Sequence, residues 1–106
     1  MYKKLVRDNI PNIIKNNGNK PITRVLNDDE FKIELERKLE EEKNEVLNSS
    51  GKDRLEELAD LYEVILCLSK LENSSIEEVR KIAKIKRKER GSFNKKIYLI
   101  GVEDEK

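Results

Sequence analysis

Six carboxylates fall in two short blocks whose spacing could hold a divalent cation: EEKNE over 41–45 and EELAD over 56–60. At helical spacing Leu35, Leu39, Glu42 and Val46 share one face, so Glu42 sits on an apolar stripe. Glu45 follows Glu42 by three residues and Glu41 by four, which puts all three on one side. Glu57 and Asp60 are three apart and lead into Val64, Cys67 or Leu68, and Leu71, a stripe that starts acidic and turns apolar. Like charges at this spacing cost roughly 0.2–0.5 kcal/mol per pair even in water. Next to a core the desolvation penalty is far larger unless something neutralises them. A hard cation such as Mg2+, which takes oxygen ligands in octahedral geometry and keeps places for phosphate oxygens, is the natural neutraliser. Spacing alone also admits a solvated acidic face laced with i,i+4 pairs such as Glu34–Lys38.

Phosphate chemistry would need cations outside the metal shell. Lys86 and Arg90 are four apart on one helical face, and Lys4 and Arg7 form a second basic pair followed by Asp8. Arg offers a bidentate fork to phosphate and Lys a point charge. The same residues read equally as a basic helix end complementing the macrodipole and as surface ion-pair partners, with Asp8 as a helix cap. Tyr62 and Phe93 could stack on a base, although Tyr62 suits core packing better, and Cys67 reads as a small core residue.

The elements that would position these groups are all helical. Asn9, Pro11 and Gly18 bracket a short helix. KPITRVL over 20–26 reads as extended, because Pro21 and the β-branched Ile22, Thr23 and Val25 disfavour helix. Asn27 with Glu30 predicts a capping box opening a long helix over 28–48. SSGK over 49–52 predicts a turn, and a second long helix follows over 53–72. That hairpin would set Glu42 and Glu45 opposite Glu57 and Asp60. Ser75 with Glu78 predicts a further capping box and a helix over 76–90 that stops at Gly91. The tail reads as short and irregular or extended, docked by Ile97, Leu99 and Val102. The fold class is therefore an all-α helical bundle around a long antiparallel hairpin, in one domain over 1–106.

Composition narrows the function classes. The chain has 106 residues, 36% apolar and 42% charged, with no Trp, so its core must be modest. Its 23 basic and 22 acidic residues nearly cancel, which gives no global field for nucleic acid. The basic stretch over 84–96 lacks interleaved aromatics and is balanced by nearby acid, which argues against a nucleic-acid binder. One Cys and no His exclude a disulfide framework and make zinc chemistry a poor fit. MYKKLVRD lacks the apolar stretch of a signal peptide, and no window approaches the ~18 apolar residues of a membrane span. A cytoplasmic protein with no membrane partner is expected.

LEEEKNE at 39–45 followed by ELADLYEVI at 57–65 resembles the EExxE…ExxD pattern of the all-α nucleoside triphosphate pyrophosphatases. With KLVRDNIP over Lys4 to Pro11 and KRKERGSF over Lys86 to Phe93, the chain is similar to small MazG-like, phosphoribosyl-ATP pyrophosphohydrolase-like proteins over almost its whole length. The spacer between the acidic motifs is short, and RGSF stands where RGGF is more usual. The resemblance implies a helical core completed by dimerisation, a Mg2+ or Mn2+ cofactor, and cleavage of a nucleotide between its α and β phosphates. It implies Glu42, Glu45, Glu57 and Asp60 as metal ligands and Glu41 or Glu56 as the group that orients or deprotonates water. Lys4, Arg7, Lys86 and Arg90 would bind substrate. Phosphoribosyl-ATP hydrolysis is the rival activity, and a non-catalytic helical dimerisation module the rival class.

The second long helix decides the assembly expectation. Leu55, Leu58, Tyr62, Ile65 and Ser69 form one stripe and Leu61, Val64, Leu68 and Leu71 another, with Glu63 the sole charge between Leu61 and Leu68. A helix apolar nearly all round needs burial nearly all round, more than one small protomer offers. The chain is expected to sediment as a homodimer or larger; a concentration-independent monomer would refute this.

Overall fold

The computed structural model describes residues 3–104, and it is all-α: among these residues there are four helices and no strand. The chain divides into two compact units, one up to Ile76 and one from Glu77 onward.

In the first unit, α1 (Ile10–Asn16) carries Pro11 in its first turn, where a missing N–H costs nothing. It ends as its residues require. Gly18 takes the left-handed φ of 86° and donates its N–H to the Lys15 carbonyl, while Asn19 donates to that of Ile14. No regular element follows until α2 (Asp28–Leu47), and Ile22 and Val25 in the intervening stretch are exposed. Arg24 nonetheless anchors that stretch with a forked pair of hydrogen bonds to Glu30, 3.1 and 2.7 Å.

The capping box at the start of α2 is complete. Asn27 Oδ1 accepts from the Glu30 N–H at 2.9 Å, and Glu30 Oε1 accepts from the Asn27 N–H at 3.2 Å. The Arg24 fork, and then the Asn27 backbone, pull the Glu30 carboxyl down to about 2. Along α2 the expected face is present: Leu35 is buried and Phe31, Leu39 and Val46 half-buried, with Glu42 buried among them.

Only Asn48, Ser49 and Ser50 separate α2 from α3 (Gly51–Leu71), against which α2 packs. The turn is shorter than SSGK suggests. Gly51 starts the helix itself from a left-handed φ of 58°, and Lys52 is already helical. The connection is clasped from the far side by Arg54, whose Nε donates to the carbonyls of Ser49 (2.9 Å) and Val46 (3.2 Å). The last turn of α2 contains no basic residue, so the cation that complements its carbonyl end comes from the next helix.

Helix α3 ends on Asn73 in the left-handed region, with the Asn73 and Ser74 N–H groups on the carbonyls of Lys70 and Ser69. Leu35, Val64 and Ile76 form the buried apolar core, and Ser69, buried beside it, donates its hydroxyl to the Leu66 carbonyl at 2.6 Å. Such a core is small, and α3 is not covered all round: Leu55 (67% exposed), Leu58 and Tyr62 open to solvent.

The second unit is the body of α4 (Ile76–Arg90) and the tail. Gly91, with φ 84°, stops the helix and donates to the Arg87 carbonyl at 2.8 Å. The tail is irregular as expected, and Ile97, Leu99 and Val102, the residues expected to dock it, are all exposed.

Arg54→Ala should lower the unfolding free energy by about 1 kcal/mol, because it removes a cation shared by two carbonyls at a half-wet turn. Urea denaturation followed by circular dichroism measures this; an unchanged midpoint would show that the clasp carries nothing.

Candidate metal centre

The hairpin brings three of the four expected ligands together. Carboxylate oxygens of Glu42 on α2 and of Glu57 and Asp60 on α3 lie within 4.8 Å of one another. Geometry explains the grouping. With a tight connection near residue 49, residue 42 faces residues 56–57, and Asp60 lies one turn beyond Glu57 on the same face of α3. Glu45 sits one turn nearer the connection and falls outside the trio, on an exposed part of α2. It still acts electrostatically, as the charge that, after burial, pushes the Glu57 carboxyl up most.

Burial is uneven across the trio. Glu42 is 8% exposed, while Glu57 and Asp60 are half-exposed. Desolvation pushes the Glu42 carboxyl above the usual glutamate range; Lys38 opposes this, and Asp60, Glu41 and Glu45 reinforce it. Glu57 is likewise raised by burial and then by Glu45, Asp60, Glu42 and Glu56. The acidic neighbours therefore make Glu42 and Glu57 harder to ionise, and a cation between them would reverse the balance.

The donor set fits a hard divalent ion. All three donors are carboxylate oxygens, and an octahedral ion with ~2.1 Å bonds spans roughly 4.2 Å between opposite ligands. The trio, within 4.8 Å, is of that scale, and none of its donors is a thiol or an imidazole.

Two cations already touch the trio. Lys38 lies 3.7 Å from Glu42 and 3.3 Å from Glu41, so it does not pair with Glu34, which instead binds Arg37 at 2.8 Å. The choice reflects helix geometry, in which Lys38 has acid one turn away in both directions and takes the side facing the core. Arg7, from the segment before α1, binds Asp60 at 2.7 Å through Nη2 and Oδ1. The sequence offered Arg7 as either a phosphate ligand or an ion-pair partner, and here it is the partner.

The remaining site expectations separate. Glu41 is held by Lys38, Glu56 is exposed, and neither joins the trio. Lys4 is exposed and lines a cleft of about 710 Å³ together with Arg7, Phe31, Glu42, Asp60 and Glu63. Lys86 and Arg90 are exposed on α4, in the second unit. Asp8 does not cap α1, whose cap position is Asn9 and carries no side-chain bond. Lys38 and Glu63 went unnoticed as site residues. The signal was present for both: Lys38 is four residues before Glu42, and Glu63 is the sole charge in an apolar run. Cys67, half-buried on the cleft wall, donates to Glu63 at 3.9 Å, and burial followed by Glu63 pushes its thiol up.

No family model matches the chain, and no solved structure does. An uncharacterised protein of Mycolicibacterium smegmatis (strain ATCC 700084 / mc(2)155) is 43% identical to it over 49 residues, 46% of this chain. The chain thus matches half the length of that curated relative.

Because Glu42 is harder to ionise in the fold, its charge weakens the metal-free protein. Its folded pKa lies above the unfolded one, so this penalty is absent at acid pH and grows as pH rises from the ordinary glutamate range through the raised value. Glu42→Gln should therefore raise the melting temperature of the metal-free protein at pH 7 by roughly 2–4 °C, with the gain vanishing near pH 4. A variant less stable than the parent at pH 7 would contradict the assignment of Glu42 as a strained acid.

Proposed function

We propose that the chain is a Mg2+- or Mn2+-dependent nucleotide pyrophosphohydrolase that cleaves the α–β phosphoanhydride of a nucleoside triphosphate. Water is consumed, and the nucleoside monophosphate and pyrophosphate leave. Free or noncanonical triphosphates are the proposed substrates, with phosphoribosyl-ATP the alternative within the same chemistry. The observation that carries the reading is the convergence of Glu42, Glu57 and Asp60, two of which, Glu42 and Asp60, line a cleft. At about 710 Å³ that cleft is within the range of small-molecule sites. The order of the KLVRDNIP, EEKNE…ELAD and KRKERGSF blocks supports the same reading.

The chemistry asks for charge neutralisation, an in-line water and a base. A divalent ion held by Glu42, Glu57 and Asp60 would supply the Lewis acidity and much of the neutralisation. Glu45, one turn away on the exposed side of α2, is the proposed fourth ligand on sequence grounds. Glu41 and Glu56 flank the trio in sequence and are the candidates to accept the proton of the attacking water. Lys4 and Arg7 border the same cleft and offer positive charge to phosphate oxygens. Lys86 and Arg90 remain proposed substrate ligands on sequence grounds.

Among the described residues no helix is long and apolar enough to cross a membrane. A cytoplasmic location belongs to this proposal, as does a homo-oligomer that covers the open face of α3. That same face, with Leu55 and Leu58 exposed, favours the second reading of a helical association module without catalysis.

A pyrophosphate-release screen over canonical and damaged triphosphates, with and without Mg2+, separates the two. Glu42→Gln and Asp60→Asn should each lower release at least about 100-fold, the scale on which lost electrostatic stabilisation is felt, while the helical circular dichroism is retained. Full activity in both variants would overturn the site. No release by the wild type, together with a melting temperature indifferent to Mg2+ and to EDTA, would favour the association module.

A further inference from the structure

Two stretches of the chain have the composition of strands and no strand beside them. Ile22, Thr23 and Val25 lie in one, and Ile97, Tyr98, Ile100 and Val102 in the other, all β-branched or aromatic. Both stretches are irregular, and among the described residues no backbone hydrogen bond joins 20–26 or 97–102 to another part of the fold. Ile22 and Val25 are each 96% exposed, and Leu99, the best covered apolar residue of the tail, is still 76% exposed. Apolar backbone with unpaired N–H and C=O groups is a template for another strand.

The earlier stretch lines a cleft of about 950 Å³ together with residues 3–8 and the first half of α2. Leu5, Val6 and Ile33 give that cleft an apolar wall, its cations outnumber its acids five to three, and Lys3 is exposed at it. The tail has the complementary pattern. Its apolar run ends in Glu103 and Asp104, with no cation between Ile97 and Asp104. Lengths agree as well: at ~3.3 Å per residue, 97–102 spans roughly 20 Å and 22–26 roughly 16 Å. Pro21, which has no N–H to give to a ladder, stands just outside the stretch to be paired. The fold of one chain leaves both the cleft residues Ile22 and Val25 and the whole apolar tail uncovered, so the occupant has to come from outside it.

We propose that residues 97–102 of one copy add as a strand along 22–26 of a second copy, with the acidic end of the tail beside that copy's Lys3. Main-chain hydrogen bonds supply the affinity, and alternate side chains of the added strand enter the cleft. This contact lies apart from the proposed metal centre and from the open face of α3, and it depends on neither.

Amide hydrogen exchange of the full chain at low and at high protein concentration reads the pairing directly. Protection over 22–26 and over 97–102 should rise together with concentration, by at least about tenfold. Ile100→Asp should abolish the rise over both stretches. Glu103→Lys should weaken it roughly two- to fivefold, the scale of an exposed ion pair, and adding Lys3→Glu should restore it. Protection of both stretches at every concentration would put the chain's own tail in the cleft and overturn the exchange between copies. Protection of the tail alone, or of neither stretch, would overturn the cleft as its binding place. A Glu103→Lys defect that Lys3→Glu does not rescue would overturn the placement of the acidic end.

Discussion

The register between α2 and α3 is set by three residues and one arginine. Asn48, Ser49 and Ser50 are too few to allow slack, and Arg54 reaches back to the carbonyls of Val46 and Ser49. A connection this short forces the two helices antiparallel and fixes which turn faces which. Everything chemical follows from that alignment. Sliding one helix by a single turn, ~5.4 Å, would take Glu42 out of register with the Glu57–Asp60 pair. The hairpin therefore works as a ruler, and the carboxylates are its coincident marks.

Stability and chemistry pull against each other at this place. A small core of Leu35, Val64 and Ile76 has to support a buried Glu42 whose neighbours are also acidic. A protein with little apolar burial gains nothing structural from that arrangement. Lys38 and Arg7 relieve part of it, one from the same helix as Glu42 and one from the segment before α1. Local conflict between folding preference and residue choice is the kind of departure that functional sites tolerate. The open face of α3, where Leu55, Leu58 and Tyr62 are exposed, is a second conflict of the same kind.

Much of this was legible in the residues. Helix periodicity, the Asn27–Glu30 capping box and the stops at Gly18 and Gly91 each rest on local rules, and each is present in the fold. The misplacement of Glu42 on an apolar stripe was visible by counting alone. What counting missed depends on three dimensions. Glu45 has the right face but the wrong turn, a distinction that requires the length of the connection to within a residue. Gly51 and Lys52 read as turn residues, yet the helix captured both. Arg54 lies on a helix surface with nothing in the sequence to mark it as the clasp. The tail was assigned a docking role from its apolar residues, although composition says nothing about whether a groove awaits them.

Gly51 has one more effect on the molecule. Residues 28–71 are rich in good helix formers, and without an interruption they would run as a single rod. In such a rod Glu42 and Asp60 would stand about 27 Å apart along the axis. A left-handed glycine directly after two serines is the comma that prevents it, since any side chain there would favour the straight path. The absence of one methyl group thus biases the choice between a folded-back pair and an uninterrupted shaft by about 1–2 kcal/mol.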